Sequence, residues 1–287
     1  MKFETARTSA FHARIADIDL SKPLGPDQQR ELEHLLAVHG VISFARQDLT
    51  PAQFKHFASQ FGELEVNVAN TRHVAGFPEI MVLSNIVENG EPIGMRDAGQ
   101  GWHTDLSYNK VIGYSTILYA LEIPSRNGRS LGDTQFCNMH AAYNDLPNDL
   151  KKRLEGMTVL HDFDKFWEMM RRKGSNRPPL SPEQRKNRPP ASHPIFLTHP
   201  VSGQKVLYAD PGYSVKINEL SDSESEEILN LLFQHQTQEK YMYSHSWSVG
   251  DVLMWDDMTT IHNAVSDYGE HDRRHLQRCQ VNATRFF

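Results

Sequence analysis

Residues 100–108 read QGWHTDLSY, which sets His103 and Asp105 two positions apart. In an extended strand, residues i and i+2 project from one face, so an imidazole and a carboxylate would aim at a single point. Both groups are ligands for a divalent cation. A third belongs on a distant strand, and His262, in WDDMTTIHNAVSDY, is the best-placed candidate. Two imidazoles and one carboxylate on one face of a metal suit Fe(II) and leave its other positions open, while the lack of thiolate argues against structural zinc. HxD alone is weak, because a surface His–Asp pair capping a turn has the same spelling. Its weight comes from the ordered features that follow: GDT, then GDVLMWDD ahead of His262, then a cluster of arginines.

Those arginines are Arg273, Arg274 and Arg278, in DRRHLQR. On a strand, Arg274 and Arg278 share a face with Leu276 between them, and Arg273 points the other way. A guanidinium turned into a core is costly unless it meets an anion, which it binds through two parallel hydrogen bonds. Two inward arginines therefore imply two anionic groups or one shared group. The plainer reading is a basic surface strand paired with acids such as Asp267 or Glu270.

The elements that would carry these residues are short. Residues 25–38 have helical periodicity, with Leu32, Leu35 and Leu36 on one side, and GVISFAR then reads as a buried strand. A helix is expected from Thr50 as N-cap, Pro51 at the first helical position and Gly62 as a stop. EIMVLSNI and YSTILYALEIP read as strands, and GDTQFCNMHAAYNDLP as a turn, a strand and a helix start. Residues 221–237 read as a helix capped by Ser221, with an apolar face of Ile228, Leu231 and Leu232. YSHSWSVGDVLMWDD, TTIHNAVSDY and RRHLQRCQVNAT are strand-like. Two stretches depart from the pattern: the Gly- and Asn-rich residues 87–101, and 161–192, whose seven basic residues and five prolines between 169 and 190 read as a lid rather than a core element. The expected architecture is mainly β with peripheral helices, a double-stranded β-helix or jelly roll. It forms one domain over 1–287, with lid-like insertions at about 87–101 and 161–192. A doubly wound fold fits poorly, since no strand leads into a Gly-rich phosphate loop.

Composition agrees with a globular enzyme: 39% apolar and 23% charged residues. A net charge of −6 gives no reason to expect nucleic acid or an anionic membrane as partner. No apolar run is long enough to cross a bilayer and the first residues lack a leader's apolar region, so a cytoplasmic protein is expected. Cys137 and Cys279 are the only cysteines, which excludes a disulfide framework and a Cys-rich zinc site.

With these residues in view, the sequence resembles the Fe(II)/2-oxoglutarate-dependent dioxygenases of the taurine dioxygenase and 2,4-dichlorophenoxyacetate dioxygenase family. The likeness runs over nearly the whole chain, through IADIDLSKPLG, HGVISFARQDLTPAQFKHFASQFGELE, WHTDLSY, GDTQFCNMHAAYNDLP, HPVSGQKVLY, SWSVGDVLMWDD, IHNAVSDY and RRHLQR. GDTQFCNMHAAYNDLP and SVGDVLMWDD look closer to the phenoxyacetate branch. The resemblance implies Fe(II) on His103, Asp105 and His262, and 2-oxoglutarate held at its distal carboxylate by Thr134 and Arg274. It puts Arg278 where relatives contact an anionic substrate. Asn67 and Asn70 stand about where the taurine enzyme has a His and a Tyr for its sulfonate, which weakens a taurine reading. The stretch between His262 and the arginines looks one residue longer than in that enzyme, so Arg273 is an alternative to Arg274.

The implied reaction couples O2 and oxidative decarboxylation of 2-oxoglutarate to succinate and CO2 with hydroxylation of a substrate C–H bond. A product hydroxylated next to oxygen or sulfur collapses and releases that group. A small-molecule substrate bearing a carboxylate, sulfonate or sulfate is expected, and family members are often homo-oligomers. The alternatives are a zinc-dependent hydrolase or isomerase on a cupin-like barrel, in which Thr134 and Arg274 have no shared purpose, and a catalytically inactive jelly-roll binding protein, against which the intact triad argues. Decarboxylation of labelled 2-oxoglutarate separates the three.

Overall fold

Two helices near the start of the chain follow from their cap residues. Pro26–His39 begins after Gly25, whose N–H donates to the Gln28 side chain, and buries Leu32, Leu35 and Leu36 as the periodicity predicts. It ends at Gly40, where φ is 68° and a Cβ would run into the Phe11 ring. Pro51–Ser59 has a reciprocal cap: Thr50 Oγ1 accepts from the Gln53 N–H, and Gln53 Oε1 accepts from the Thr50 N–H at 2.8 Å. The computed structural model describes residues 2–5, 11–66, 72–175 and 177–287. Asn67 and Asn70 lie outside the described residues.

Among the described residues the largest sheet has eight strands, in the order Lys2–Thr5, Ala13–Ala16, Val41–Phe44, Val252–Asp256, Gly113–Glu122, His275–Asn282, Phe77–Ser84 and His73–Val74. All neighbours are antiparallel except the parallel pair Ala13–Ala16 and Val41–Phe44. Alternation sorts its two faces. Ile80, Ile117, Cys279 and Val281 pack with Leu32, Leu36, Phe54 and Phe57 beneath the helices. On the other face Met81, Leu118, Leu253 and Leu276 meet Phe136 and Trp247. Phe136 comes from a three-stranded sheet in which Thr134–Asn138 lies between Met242–His245 and Thr260–Ala264. The architecture is thus mixed sheet and helix, with helices on one face of the large sheet and a smaller sheet on the other.

A third sheet, Ala191–Pro194, Thr158–His161 and Ser214–Ile217, packs on the Asp222–Gln236 helix. Ser221 caps that helix as expected, but its buried face is Ile228, Leu229 and Leu232, while Leu231 is 48% exposed. Both candidate faces keep helical spacing, and tertiary contact chose the one nearer Leu229. The expectation for 161–192 also needs correction in its first half. Phe163–Arg172 is an α-helix that buries Phe166 and Met170 against Leu106, Tyr108 and Tyr213, and Trp167 against Phe163 and Arg177. Its aromatic residues precede the basic, Pro-rich run and supply the core contact that the run cannot. No helix among the described residues is long and apolar enough to cross a membrane.

Candidate metal centre and active site

His103 is a single bridge residue, paired antiparallel with His262. The two exchange both backbone hydrogen bonds, at 3.1 and 2.7 Å, so their side chains leave on the same side and their rings lie 4.2 Å apart. Asp105 stands where the chain has already turned away, ahead of Leu106 at φ 59°. His103 is the only strand-paired residue of the motif, and Asp105 opens the turn that follows it. Asp105 Oδ1 is 3.7 Å from His103 Nε2, and Oδ2 is 3.8 Å from His262 Nε2.

Three donor atoms of His103, Asp105 and His262 lie within 4.8 Å of one another, and all three residues are buried. The donor chemistry fits a divalent cation. His103 Nδ1 is 2.7 Å from the Gly101 carbonyl, to which it donates, leaving the Nε2 lone pair for the centre. Burial, with His103 beside it, holds His262 well below the ordinary imidazole pKa, so it is neutral. Burial works against an ionised Asp105, but the Arg278 guanidinium beside it, with the hydrogen bond from Thr116, holds its carboxyl below the usual carboxylate range. Gly212 packs against His103, where a Cβ would come within 2.7 Å of the His103 Cβ, so only glycine allows the approach.

Behind Asp105 is a relay that sequence reasoning missed. Thr116 Oγ1 lies 3.0 Å from Asp105 Oδ2 and 2.9 Å from Asp257 Oδ2. Asp257 is fully buried, and burial together with the nearby Asp105 charge raises its pKa well above the carboxylate range. Protonated Asp257 donates to Thr116, and the Thr116 hydroxyl hydrogen goes to Asp105. Thr116 had no local signal, because the partners stand 11 and 141 positions away.

The arginines separate as the face argument requires. Arg273 is exposed and forms a two-bond pair with Glu122, at 2.8 and 3.0 Å. Arg274 is 6% exposed. Its Nη2 donates to the Gly132 carbonyl at 3.1 Å, its Nε has no acceptor, and the guanidinium lies against the Tyr268 ring. Thr134 Oγ1 accepts from Trp247 Nε1 at 3.0 Å, which leaves its hydroxyl hydrogen free. Arg278 lines a cavity with His103, Asp105, Tyr108, Phe166 and Tyr213. Its Nη1 is 3.8 Å from Asp105 Oδ1, Nη2 meets Met81 sulfur, and Nε has no acceptor. Arg274 is buried immediately ahead of the His275–Asn282 strand that carries Arg278, and it does not line that cavity, because it sits against Gly132 and Tyr268.

Both stretches read as lids reach the cavity, through Met95, Ala98 and Gly99 and through Phe163, Phe166, Trp167 and Arg177. Four arginines of the 161–192 stretch are already paired: Arg171 with Glu168, Arg177 with Asp97, Arg185 with Asp164 and Arg188 with Glu65. Arg177 and Arg188 thereby tie the stretch to Asp97 and Glu65 elsewhere in the chain, while Arg171 and Arg185 pair within it.

Residues 4–280 match the family described as taurine catabolism dioxygenase TauD, TfdA family. The sequence is 33% identical over 279 residues to the alpha-ketoglutarate-dependent 2,4-dichlorophenoxyacetate dioxygenase of Cupriavidus pinatubonensis, covering 93% of each chain. The fold superposes on the crystal structure of a taurine dioxygenase from Burkholderia xenovorans with a TM-score of 0.76 and 28% identity, over 96% of this chain and 88% of that one. It superposes on AAD-2 in complex with Mn(II) and N-oxalylglycine with a TM-score of 0.79 and 26% identity, over 98% and 96% of the two chains.

Proposed function

Because the chain belongs to the TauD, TfdA dioxygenase family and is a dioxygenase dependent on Fe(II), 2-oxoglutarate and O2, we propose that His103, Asp105 and His262 hold its iron. One observation carries this: the three donors converge, buried, within 4.8 Å, with one imidazole tautomer fixed and the other imidazole neutral. Bound there, Fe(II) would let O2 oxidise both 2-oxoglutarate, to succinate and CO2, and the substrate C–H bond, one oxygen atom going to each. The protein's own residues bind and orient. Thr134 and Arg274 are assigned to the distal carboxylate of 2-oxoglutarate, since Thr134 has a hydrogen to donate and the buried Arg274 has a donor, Nε, without an acceptor. The two sheets enclosing Phe136 and Trp247 support a double-stranded β-helix as the frame.

Arg278 we assign to the acid group of a small primary substrate. Its nearest carboxylate is Asp105, at ion-pair rather than hydrogen-bond distance, and that charge is committed to the metal. The relatives named for taurine and for 2,4-dichlorophenoxyacetate both have acids in those names, a sulfonate and a carboxylate. Tyr108, Phe166 and Tyr213 form the walls that exclude water from the body of the substrate. The stretch at 87–101 and the basic, Pro-rich second half of 161–192 are assigned as its lids within a single catalytic domain.

The test is a panel of carboxylates, sulfonates and sulfate esters scored by succinate release. The best substrate and its neutral amide or ester are then compared in native enzyme and Arg278→Ala. Loss of the preference for the anion in the variant supports the assignment. A native enzyme with no such preference sinks it.

A further inference from the structure

The cavity beside the metal donors does not end at its aromatic wall. Met95, Trp167 and Arg177 line it and also line a second cavity, which continues over Pro92, Gly94 and Pro178. Arg177 is the middle of this partition. Its Nη2 donates to Asp97 Oδ1 at 3.0 Å and to the Asp97 carbonyl at 3.3 Å, and its guanidinium stacks 5.0 Å from the Trp167 ring centre. Its charge is satisfied within the protein. The other cations around the second cavity are also engaged, Arg96 with Glu270 and Arg72 with the Pro92 carbonyl. What remains facing the space is largely proline, methionine and tryptophan surface.

We infer that this second cavity is the outer half of the substrate site and takes the apolar tail of an acid whose head group is held by Arg278. The inference rests on the assignment of Arg278 above. Continuity argues for this occupant, because the residues that close the inner cavity on one side are the inner wall of the outer one. The partition is built from side chains, one of them an unbranched methionine that changes rotamer at little cost, so a chain can pass without moving backbone. A substrate ending inside the inner cavity would leave the outer apolar walls in water, whereas a tail crossing the partition buries them.

Binding of butyl, hexyl and octyl sulfate, with the matched alkanols, is measured by calorimetry on enzyme loaded with Fe(II) and 2-oxoglutarate and held without oxygen. Each methylene that enters the outer cavity should tighten sulfate binding about fourfold and make the heat-capacity change more negative. Pro178→Trp fills the outer cavity while keeping the backbone carbonyl that Trp167 Nε1 bonds, and should flatten this dependence on length. Pro92→Trp, on another part of the wall, serves if that variant does not fold. Octyl sulfate binding no tighter than butyl sulfate, or a length dependence unchanged in a folded filling variant, overturns the inference while short sulfates still report on Arg278. Alkanols binding as tightly as sulfates, with the same length dependence, would overturn the Arg278 assignment instead and leave the apolar cavity standing.

Discussion

Replacing Arg274 by alanine should cost the enzyme its grip on 2-oxoglutarate and little else. The guanidinium has five N–H donors in a planar fork. One goes to the Gly132 carbonyl, the Tyr268 side chain takes another and Nε has no acceptor, so donors remain for a carboxylate. At 6% exposure, water cannot stand in for the lost partner. Truncating one side of a buried, hydrogen-bonded charge pair costs about 2–5 kcal/mol, so the 2-oxoglutarate Kd should rise by about 30-fold to about 5,000-fold. Arg274→Lys keeps the charge without the fork and should fall between. Arg273→Ala, which removes an exposed pair with Glu122, should leave 2-oxoglutarate binding unchanged. The measurements are calorimetric titration of the Fe(II) enzyme with 2-oxoglutarate and the KM from release of labelled CO2. A loss in Arg273→Ala with none in Arg274→Ala would shift the register by one residue and refute the face argument.

Other consequences follow from single contacts. His103→Ala, Asp105→Ala and His262→Ala should each abolish turnover and lower Fe(II) binding in equilibrium dialysis without lowering the apo-protein melting temperature by more than a few degrees; full activity in His262→Ala removes it from the metal site. Thr116→Val breaks the link between Asp257 and Asp105 and should weaken Fe(II) binding by about 10–100-fold, with wild-type metal affinity as the contrary result. Gly132→Ala should reproduce part of the Arg274→Ala phenotype, because φ is 79° there and a Cβ would fall 2.6 Å from Arg274 Nε. Burial and neighbouring imidazoles lower His12 and His193 from 6.5 to about 4, so as pH falls through that window the unfolded chain takes up protons that the folded chain refuses. Apo-protein stability should therefore decline from about pH 6.5 towards pH 4, and a urea midpoint that stays flat contradicts it.

The parts of the site legible from sequence were those with a local rule behind them. Cap residues placed Pro51–Ser59 and Asp222–Gln236, and strand parity separated Arg274 and Arg278 from Arg273. HxD pointed at a pair that does converge, although only His103 of the motif is strand-paired and Asp105 already lies in the turn that follows. Leu231 illustrates the limit of periodicity: it keeps helical spacing with Ile228 and Leu232, yet the packing partner selects Leu229. Thr116, Asp257, Gly212 and the Arg177–Asp97 pair were invisible because each acts on a residue far away in sequence. Composition misled at 161–192, where the average over prolines and cations hid Phe166 and Trp167.

The segment carrying His103 is stitched to the strand carrying His262 by more than their mutual pair. Ala264 N–H donates to the Gly99 carbonyl and Gly101 N–H to Asn263 Oδ1, so the irregular segment 99–103 is tied along Thr260–Ala264, the outer strand of the smaller sheet, without forming a strand itself. Ala98 and Gly99 at the head of that segment face the cavity, and His103 at its foot faces the metal. Pressing on one end is felt at the other. Whatever free energy the metal spends ordering this stretch no longer has to be spent by an organic ligand arriving later, and thermodynamic reciprocity makes the benefit equal in both directions. Such a coupling sets no order of loading; it makes each ligand tighten the other through a handful of backbone hydrogen bonds, and amide exchange at His103, His262 and Ala264 is where it can be watched.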